Sequence, residues 1–233
     1  KIIKEIITED MSELERELAI NQYLCDTAEY DMEALANAEE NDFAEVDEEF
    51  NDAFTPYGVL LNKTGVCSSY AGAFKLLAEE AGLECIVVTG YLEGDLPHAW
   101  NKVKIDGTWN IVDTTNNDNE LLFNALLNLP DYAADKVLVE DERYVLDSMT
   151  GNYGAETDDK EYYRINGRFY TQDQIIQPLA DDLAREGTAV LRTDYTLSDD
   201  EFASIQRKVG SQSGMKGLEG YYWMGVICLT DEK

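Results

Sequence analysis

Three side chains in the first half of this chain could together form a nucleophilic centre: Cys67, His98 and Asp113. A thiol attacks well only as thiolate, so a catalytic cysteine needs a base beside it, and that base needs a third group to fix its tautomer. His98 is the only histidine in the sequence, so it is the one imidazole that could be this base. The three residue types supply one candidate for each role.

Cys67 is predicted to lie in the first turn of a helix. The residues after it keep helical spacing and end at Gly82 in a stop position: Tyr70, Phe74, Leu77 and Ala81. The unpaired N–H groups and the positive dipole end at a helix N-terminus favour a thiolate, and the same N–H groups could hold an oxyanion. This position suits a nucleophile.

His98 and Asp113 flank a predicted hairpin with its turn at Asp106-Gly107. Apolar residues alternate with polar ones on both sides of the turn: Val103, Ile105, Trp109 and Ile111. His98 opens the first strand and Asp113 closes the second, with an offset of two residues that keeps both side chains on one face. We therefore expect the two side chains to meet diagonally.

Residues 57–118 resemble the transglutaminase-like superfamily. The resemblance rests on an ordered series of short strings: Gly65-Val66-Cys67, Tyr70-Ala71, Phe74-Lys75-Leu76-Leu77, Ala81-Gly82-Leu83-Glu84-Cys85, Val88-Thr89-Gly90, His98-Ala99-Trp100-Asn101 and Val112-Asp113-Thr114. It implies an α+β fold with a papain-like transglutaminase core, in which the helix of the nucleophile packs on an antiparallel sheet. By position it makes Cys67 the nucleophile, His98 the base and Asp113 the orienting acid.

Two strings depart from the pattern of this superfamily. After Asp113 the chain reads Thr114-Thr115-Asn116-Asn117-Asp118, where many bacterial relatives carry an aromatic residue. Ser68-Ser69 stands where a larger polar residue is common after the nucleophile. All three members of the predicted triad are nevertheless present.

Further residues are predicted around this centre. Trp100 is expected to pack in the sheet and to line the substrate cleft, and Tyr57 is expected to bind substrate with it. Either Tyr57 or a nearby backbone group is expected to complete the oxyanion hole. Cys25, Cys85 and Cys228 are interpreted as structural. Each member of the triad also has a purely structural alternative. Cysteines are often buried hydrophobic residues, and histidines are often structural. A carboxylate at the end of a strand often caps a turn.

No cofactor or metal ion is expected. The sequence has no CxxC, HExxH or phosphate-loop motif, and one histidine with scattered cysteines gives no zinc spacing. The stretch from Asp113 to Glu120 is rich in oxygen ligands but lacks the spacing of a calcium loop, which leaves calcium as a weak alternative.

Composition limits the partners. Forty-eight acidic against 18 basic residues give a formal charge of −30, which disfavours nucleic acid and anionic membranes. No stretch approaches the roughly 20 apolar residues of a membrane span. The chain begins at Lys1, which suggests that a signal peptide or lipid anchor has been removed. Because the resemblance is to bacterial proteins that are often exported, we expect an extracellular or envelope location and a peptide or protein substrate, with cell-wall material as one option.

Two domains are predicted: residues 1–155 as the transglutaminase-like catalytic domain and 156–233 as a small α+β accessory domain. Ser12 and Ser198 each begin a capping box. In the first domain we predict a short helix over 131–140 and a strand over 143–146. In the second we predict a hairpin at 162–170 with an Asn166-Gly167 turn, helices near 173–186 and 198–209, and strands at 188–194 and 221–229.

The leading hypothesis is a cysteine-dependent acyl-transfer enzyme that hydrolyses amide bonds of peptides or proteins through Cys67, His98 and Asp113. The alternatives are a protein-glutamine transglutaminase, in which an amine resolves the acyl-enzyme, and a non-catalytic binding module that keeps the fold.

Overall fold

The computed structural model of this protein describes residues 1–141 and 152–231. The chain divides into two compact units. The first comprises Lys1–Asp118 and Leu126–Lys160, and the second comprises Asn119–Ala125 and the chain from Glu161 onwards. The predicted strand at 143–146 lies outside the described residues. In the described part of the chain, no helix is long and apolar enough to cross a membrane.

The first unit combines helices with one antiparallel sheet and one two-residue strand pair. Its helices are α1 (Ile2–Ile6), α2 (Glu13–Thr27), α3 (Met32–Glu40), α4 (Cys67–Glu80), α5 (Thr114–Asn117) and α6 (Asp131–Ala134), with a 3-10 helix at Glu48–Phe54 and a π-helical turn at Gly58–Asn62. Its strands are β1 (Glu29–Tyr30), β2 (Thr64–Gly65), β3 (Glu84–Leu92), β4 (Leu96–Ile105), β5 (Thr108–Val112), β6 (Leu127–Leu129) and β7 (Leu138–Glu140). The predicted α+β fold class is confirmed.

Helix α4 packs against the sheet through the apolar face that its spacing predicted. Tyr70, Phe74 and Leu77 are buried, and Gly82 follows the helix with a φ of +85°, which glycine adopts without strain. Helix α2 begins at the predicted capping box, in which the Ser12 backbone N–H donates to the Glu15 carboxylate at 2.8 Å. Both helices thus start or stop where the sequence indicates.

The five-stranded sheet has the order β6-β5-β4-β3-β7, with every pair antiparallel. Strands β4 and β5 form the predicted hairpin, in which Asp106 and Gly107 have φ values of 51° and 84°. Positive φ at both turn residues is the type I′ geometry that matches the twist of the strands. The register pairs Asn101 with Val112 and thereby fixes the two strand ends that carry His98 and Asp113.

Only part of the predicted helix over 131–140 is helical. Helix α6 ends at Ala134, and Leu138–Glu140 form strand β7, which pairs with the end of β3. Pairing with a sheet edge satisfies backbone groups of these residues, so tertiary contact overrides the local helical pattern.

A buried polar network links α2 to α5 and β6 inside the first unit. Asn128 Nδ2 donates to Glu17 Oε2 at 2.8 Å, and Asn117 Nδ2 donates to Asn21 Oδ1 at 3.0 Å. All four residues are buried. Burial raises the pKa of Glu17 to about 8, and the Asn128 hydrogen bond opposes the rise only partly. A protonated Glu17 at neutral pH is therefore part of the folded state.

The second unit has helices α7 (Tyr162–Ile165), α8 (Ile176–Glu186) and α9 (Asp199–Ser213), with strands β8 (Thr188–Arg192), β9 (Leu218–Trp223) and β10 (Val226–Asp231) in the order β8-β10-β9. Its core lies between the two long helices and this sheet, and contains Leu179, Leu183, Leu191, Ile205 and Ile227. Helix α9 begins at the predicted capping box of Ser198.

Two predictions for the second unit are wrong. Residues 162–165 form a helix rather than a hairpin strand, because the Glu161 carboxylate accepts from the backbone N–H groups of Tyr163 and Arg164 at 3.0 and 2.8 Å. Gly167, with a φ of +64°, lies just after the end of this helix, where glycine commonly terminates a helix, and does not form a hairpin turn. The predicted single strand at 221–229 is two strands joined by a tight turn at Met224 and Gly225.

Candidate active site

Cys67 is the first residue of α4, as the sequence predicted, and its side chain is partly exposed. The segment before it is held tightly: Ser69 Oγ donates to the Thr55 carbonyl at 2.5 Å and accepts from the Val59 N–H at 3.1 Å. A Cβ on Gly65 would lie 2.6 Å from Ser69 Oγ, so this position has room only for glycine. These contacts hold the thiol at the N-terminus of α4, where the positive end of the helix dipole favours a thiolate.

His98 and Asp113 meet at the open end of the hairpin. His98 Nε2 lies 2.7 Å from Asp113 Oδ2, with side-chain exposures of 4% and 0%. Burial lowers the pKa of the His98 imidazolium, but the Asp113 carboxylate and then Cys67 outweigh this effect and raise it to about 10. The diagonal approach expected from the two-residue offset is what the structure has.

The Asp113 bond decides which imidazole nitrogen is left for the thiol. A hydrogen bond to a carboxylate requires a proton on Nε2, so Nδ1 is the nitrogen free to act as a base in the neutral ring. The Cys67 side chain also acts on the ring and raises the pKa of His98. Cys67, His98 and Asp113 are thus brought together in the order that acyl transfer through a cysteine requires.

Asp113 is anchored by its own neighbours in sequence. Its backbone N–H donates to the Leu126 carbonyl at 3.0 Å, and its Oδ1 accepts from the Asn116 backbone N–H at 3.3 Å as the N-cap of α5. The Asn116 carboxamide adds a second bond, with Nδ2 donating to Asp113 Oδ2 at 2.6 Å. The segment that departs from the superfamily pattern therefore supports the carboxylate.

Tyr30 is a neighbour of the thiol that the sequence analysis did not single out. Strand β1 pairs in parallel with β2, which sets Tyr30 opposite Gly65, two residues before the cysteine. Burial raises the pKa of the Tyr30 phenol and the Cys67 side chain adds to the rise, whereas the Cys67 backbone N–H opposes it. The protonated phenol thus lies beside the N–H group that would bind an oxyanion. Two-residue strands leave no periodic signal in a sequence, so this neighbour could not be read from it.

Trp100 and Tyr57 occupy different environments. Trp100 is 2% exposed, and its ring stacks on His98 with centroids 6.2 Å apart and an interplanar angle of 22°. It packs behind the imidazole rather than facing solvent. Tyr57 is 50% exposed at the entrance to the π-helical turn. Its role in substrate binding stays a prediction.

All four cysteines are free thiols. Burial raises the pKa of the Cys25, Cys85 and Cys228 thiols, which keeps them protonated and unreactive at neutral pH. Cys25 lies close to the site, since its Sγ is 3.9 Å from the Thr114 carbonyl oxygen. Among the described residues, no group of three or more histidine, cysteine or acidic side chains is arranged to hold a metal ion.

Comparison with known proteins adds the family. Residues 1–114 match the sequence model of the transglutaminase-like superfamily, and the match includes the cysteine, the histidine and the aspartate described above. Over these residues the chain is similar to the transglutaminase-like superfamily. The geometry of the transglutaminase-like unit, with its helix-borne thiol and its sheet-borne histidine and aspartate, agrees with the resemblance noted in the sequence.

The similar proteins are much longer than the matched region. The kyphoscoliosis peptidase of Mus musculus is 33% identical to this chain over 126 residues, and that of Homo sapiens is 32% identical over 126 residues. Each match covers 49% of this chain but 17% of the relative. Among solved structures, a crystal structure of a TGase has 25% identity and a TM-score of 0.41, covering 46% of this chain and 27% of that one.

Proposed function

We propose that this protein is a cysteine-dependent acyl-transfer enzyme that hydrolyses amide bonds of peptides or proteins. The observation that carries the proposal is the buried His98–Asp113 pair, bonded at 2.7 Å, together with a partly exposed Cys67 whose side chain raises the pKa of the same imidazole. Burying a charged pair costs desolvation free energy, and such pairs are concentrated at functional sites. This pair places a base beside a thiol that solvent can reach.

The reaction begins when His98 Nδ1 takes the thiol proton of Cys67 and the sulfur attacks the amide carbonyl carbon. The new C–S bond moves an electron pair onto the carbonyl oxygen, and the backbone N–H groups at the start of α4 stabilise this oxyanion. The imidazolium then protonates the leaving amine as the C–N bond breaks, which leaves a thioester on Cys67. Asp113 keeps the ring in the productive tautomer throughout.

In the second half, His98 removes a proton from a water molecule that attacks the thioester. The C–S bond then breaks and returns its electron pair to the sulfur, the carboxylic acid product leaves, and the sulfur recovers its proton from the imidazolium. A transglutaminase would differ only here, because an amine would replace the water. Hydrolysis is preferred, and the name peptidase carried by the relatives in mouse and human supports this choice. The substrate is proposed to be a peptide or protein.

The test begins with the reactivity of the thiol. A free cysteine has a pKa of about 8.5, so fast alkylation by iodoacetamide near pH 6 indicates a thiolate held by an imidazolium. We expect mass spectrometry to find Cys67 labelled first, and His98→Ala to slow its labelling about tenfold or more. Cys25→Ser is the matched control, since it removes a neighbouring thiol and should leave labelling of Cys67 unchanged. Slow labelling that His98→Ala does not alter would exclude a working pair.

Substrate turnover then separates the three functions. A peptide library should yield new amino termini that depend on Cys67, which identifies a peptidase. Incorporation of a labelled primary amine into a glutamine-containing protein, without cleavage, would identify a transglutaminase instead. A Cys67→Ala variant that binds a peptide as tightly as the wild type, when the wild type neither cleaves nor transfers, would identify a binding module.

A further inference from the structure

The Asn116 carboxamide contacts both partners of the buried pair. Its Nδ2 lies 2.6 Å from Asp113 Oδ2 and 3.3 Å from His98 Nε2. Asp113 Oδ2 is also the atom that His98 bonds. One carboxylate oxygen therefore receives two donors, an imidazole N–H and an amide N–H.

The chemistry of these contacts fixes the orientation of the amide. An ionised carboxylate only accepts hydrogen bonds, so the group 2.6 Å from it must be the NH2 of Asn116 and not its carbonyl oxygen. His98 Nε2 also carries its proton toward Asp113, so it cannot accept from the amide in this arrangement. Asn116 thus serves Asp113 and only borders His98.

The backbone around Asn116 makes this placement rigid. Asn116 lies in α5, and its own backbone N–H donates to the other Asp113 oxygen, Oδ1, at 3.3 Å. Asp113 accepts one backbone and one side-chain bond from the same residue, in addition to the bond from His98. With these two bonds to Asn116, the fully buried carboxylate has little freedom to rotate about its last torsion.

The titratable groups that face the pair come from three other elements. Cys67 on α4 acts directly on His98, and both Cys67 and Asp113 act on Tyr30 on β1. Cys25 on α2 interacts with Asp113. The Cys25 thiol and the Tyr30 phenol are both neutral at neutral pH, so the groups that raise the pKa of His98 are Asp113 and then Cys67.

We propose that Asn116 is a positioning residue of this site, whose amide holds Asp113 Oδ2 against His98 and shares that oxygen with the imidazole. This inference rests on the proposed function and deepens it. The amide uses part of the acceptor capacity of Asp113 Oδ2, which weakens the hold of this carboxylate on the imidazolium and lowers the pKa of His98. Nδ1 can then release its proton to a leaving amine more readily. An acid that never releases its proton would stall the first half of the reaction.

The sole histidine makes the test direct, because one labelled ring gives one set of signals. The protein is labelled with 15N in histidine, and both ring nitrogens are followed by NMR from about pH 5 to about pH 11. In the wild type we expect Nε2 to carry the proton in the neutral ring. In Asn116→Ala we expect the titration midpoint to rise by about 0.5 pH unit or more, with Nε2 still carrying the proton in the neutral ring.

Two further variants make the result independent of any one substitution. Asn116→Leu removes the donor while keeping the volume, and it should move the midpoint in the same direction as Asn116→Ala. Thr115→Ala, on the same short helix, is the matched control and should reproduce the wild-type curve. Circular dichroism at each pH limits the comparison to folded protein.

The outcomes separate this inference from the proposed function. If Asn116→Ala and Asn116→Leu keep the wild-type midpoint or lower it, the inference on Asn116 is overturned and the proposed function stands. If the His98 midpoint is the same in Cys67→Ala as in the wild type, the thiol and the imidazole are not coupled. That result would contradict the proposed function itself, whatever the Asn116 variants show. With a substrate in hand, loss of the positioning bond should lower kcat about tenfold and leave KM within about twofold, which a merely structural role would not do.

Discussion

At His98, two opposing effects act on one ring. Removal from water disfavours the imidazolium, while the carboxylate of Asp113 and then the side chain of Cys67 favour it, and the second effect dominates. The pKa of His98 is raised only while all three groups remain in place. The reactivity of Cys67 is therefore a property of the group of three and not of the thiol alone.

Replacing Asp113 by asparagine tests this coupling. The amide carries no charge, so burial should dominate and the His98 midpoint should fall well below about 10, its value in the folded wild type. Amidase activity should fall on the order of 10²–10⁴-fold, because the neutral ring loses its preferred tautomer. The NMR titration and a turnover assay measure the two effects, and an unchanged midpoint would show that Asp113 does not act on His98.

The same substitution changes how stability depends on pH. The folded-state pKa of His98, about 10, lies above the ordinary value of 6.5, so the stability that this pair contributes is complete below about pH 6.5 and is lost as the pH rises through about 10. Chemical denaturation of the wild type should show this decline, and Asp113→Asn should lack it. A parallel decline in both proteins would contradict the assignment.

Glu17 gives a second pH dependence in a lower window. Its folded-state pKa of about 8 lies above the ordinary 4.5, so its contribution is present below about pH 4.5 and is lost as the pH rises through about 8. Glu17→Gln cannot ionise and should be more stable than the wild type at pH 9, on the order of 5 kcal/mol. Urea denaturation at pH 5 and pH 9 measures this difference, with the exposed Glu5→Gln as the control. Equal stability at pH 9 would place Glu17 in a wetter environment.

Cys67, His98 and Asp113 could be predicted at the residue scale because regular elements position them. The apolar spacing after Cys67 indicates a helix start, and the Asp106-Gly107 turn sets the register that brings His98 and Asp113 together. The contacts of Tyr30 and Asn116 could not be predicted. The first depends on a two-residue parallel strand pair, and the second depends on the side-chain rotamer of a residue in a four-residue helix.

At the scale of elements, the local sequence pattern predicted a hairpin strand at residues 162–165, where the structure has helix α7. The difference arises where a buried charge is paired. Arg192 on β8 is fully buried, and its Nη1 donates to Glu161 Oε1 at 2.5 Å, just before α7. Arg192 Nη2 also donates to the carbonyls of Ala125 and Met224 at 2.6 and 3.0 Å. Glu161 in turn caps α7. Because the ion pair with Arg192 holds Glu161 in this position, a helix forms where the Asn166-Gly167 pair alone indicates a hairpin.

Breaking this pair should be costly for the second unit. Arg192→Leu leaves the Glu161 carboxylate buried without its partner, and we expect a loss of about 3–5 kcal/mol of unfolding free energy. The double variant Glu161→Gln with Arg192→Leu should recover part of that loss. Arg185→Leu is the control, because Arg185 is 63% exposed and such surface pairs contribute about 0–1 kcal/mol. Denaturation curves decide the matter, and similar losses for both arginines would argue against a special role for the buried one.

For the whole molecule, the main physical quantity is its charge. A formal charge of −30 on 233 residues makes the folded chain repel itself, because 48 acidic side chains face only 18 basic ones. Such repulsion acts between exposed groups and is screened over about 8 Å at physiological ionic strength. It therefore lowers the stability of the fold in dilute buffer without affecting the buried pairs described above.

Salt should stabilise this protein at neutral pH. We expect Tm to rise by several degrees between about 20 mM and about 0.5 M NaCl, since screening removes repulsion that unfolding would otherwise relieve. Differential scanning calorimetry measures the change. The His98 titration midpoint should move far less over the same range, because its partners are buried. A Tm that falls with salt would mean that attractive surface pairs outweigh the repulsion.

Asp113 both bonds the His98 imidazole and caps a helix, and this double role affects which substitutions the protein can accept over evolutionary time. Its Oδ2 receives the His98 imidazole, while its Oδ1 caps α5, and an N-cap aspartate is commonly worth about 1 kcal/mol to a fold. A descendant that no longer needed catalysis would therefore still be selected to keep the aspartate, whereas its cysteine would be free to drift. Among relatives of this chain, loss of the cysteine would therefore indicate an inactive protein, whereas retention of the aspartate would not indicate activity.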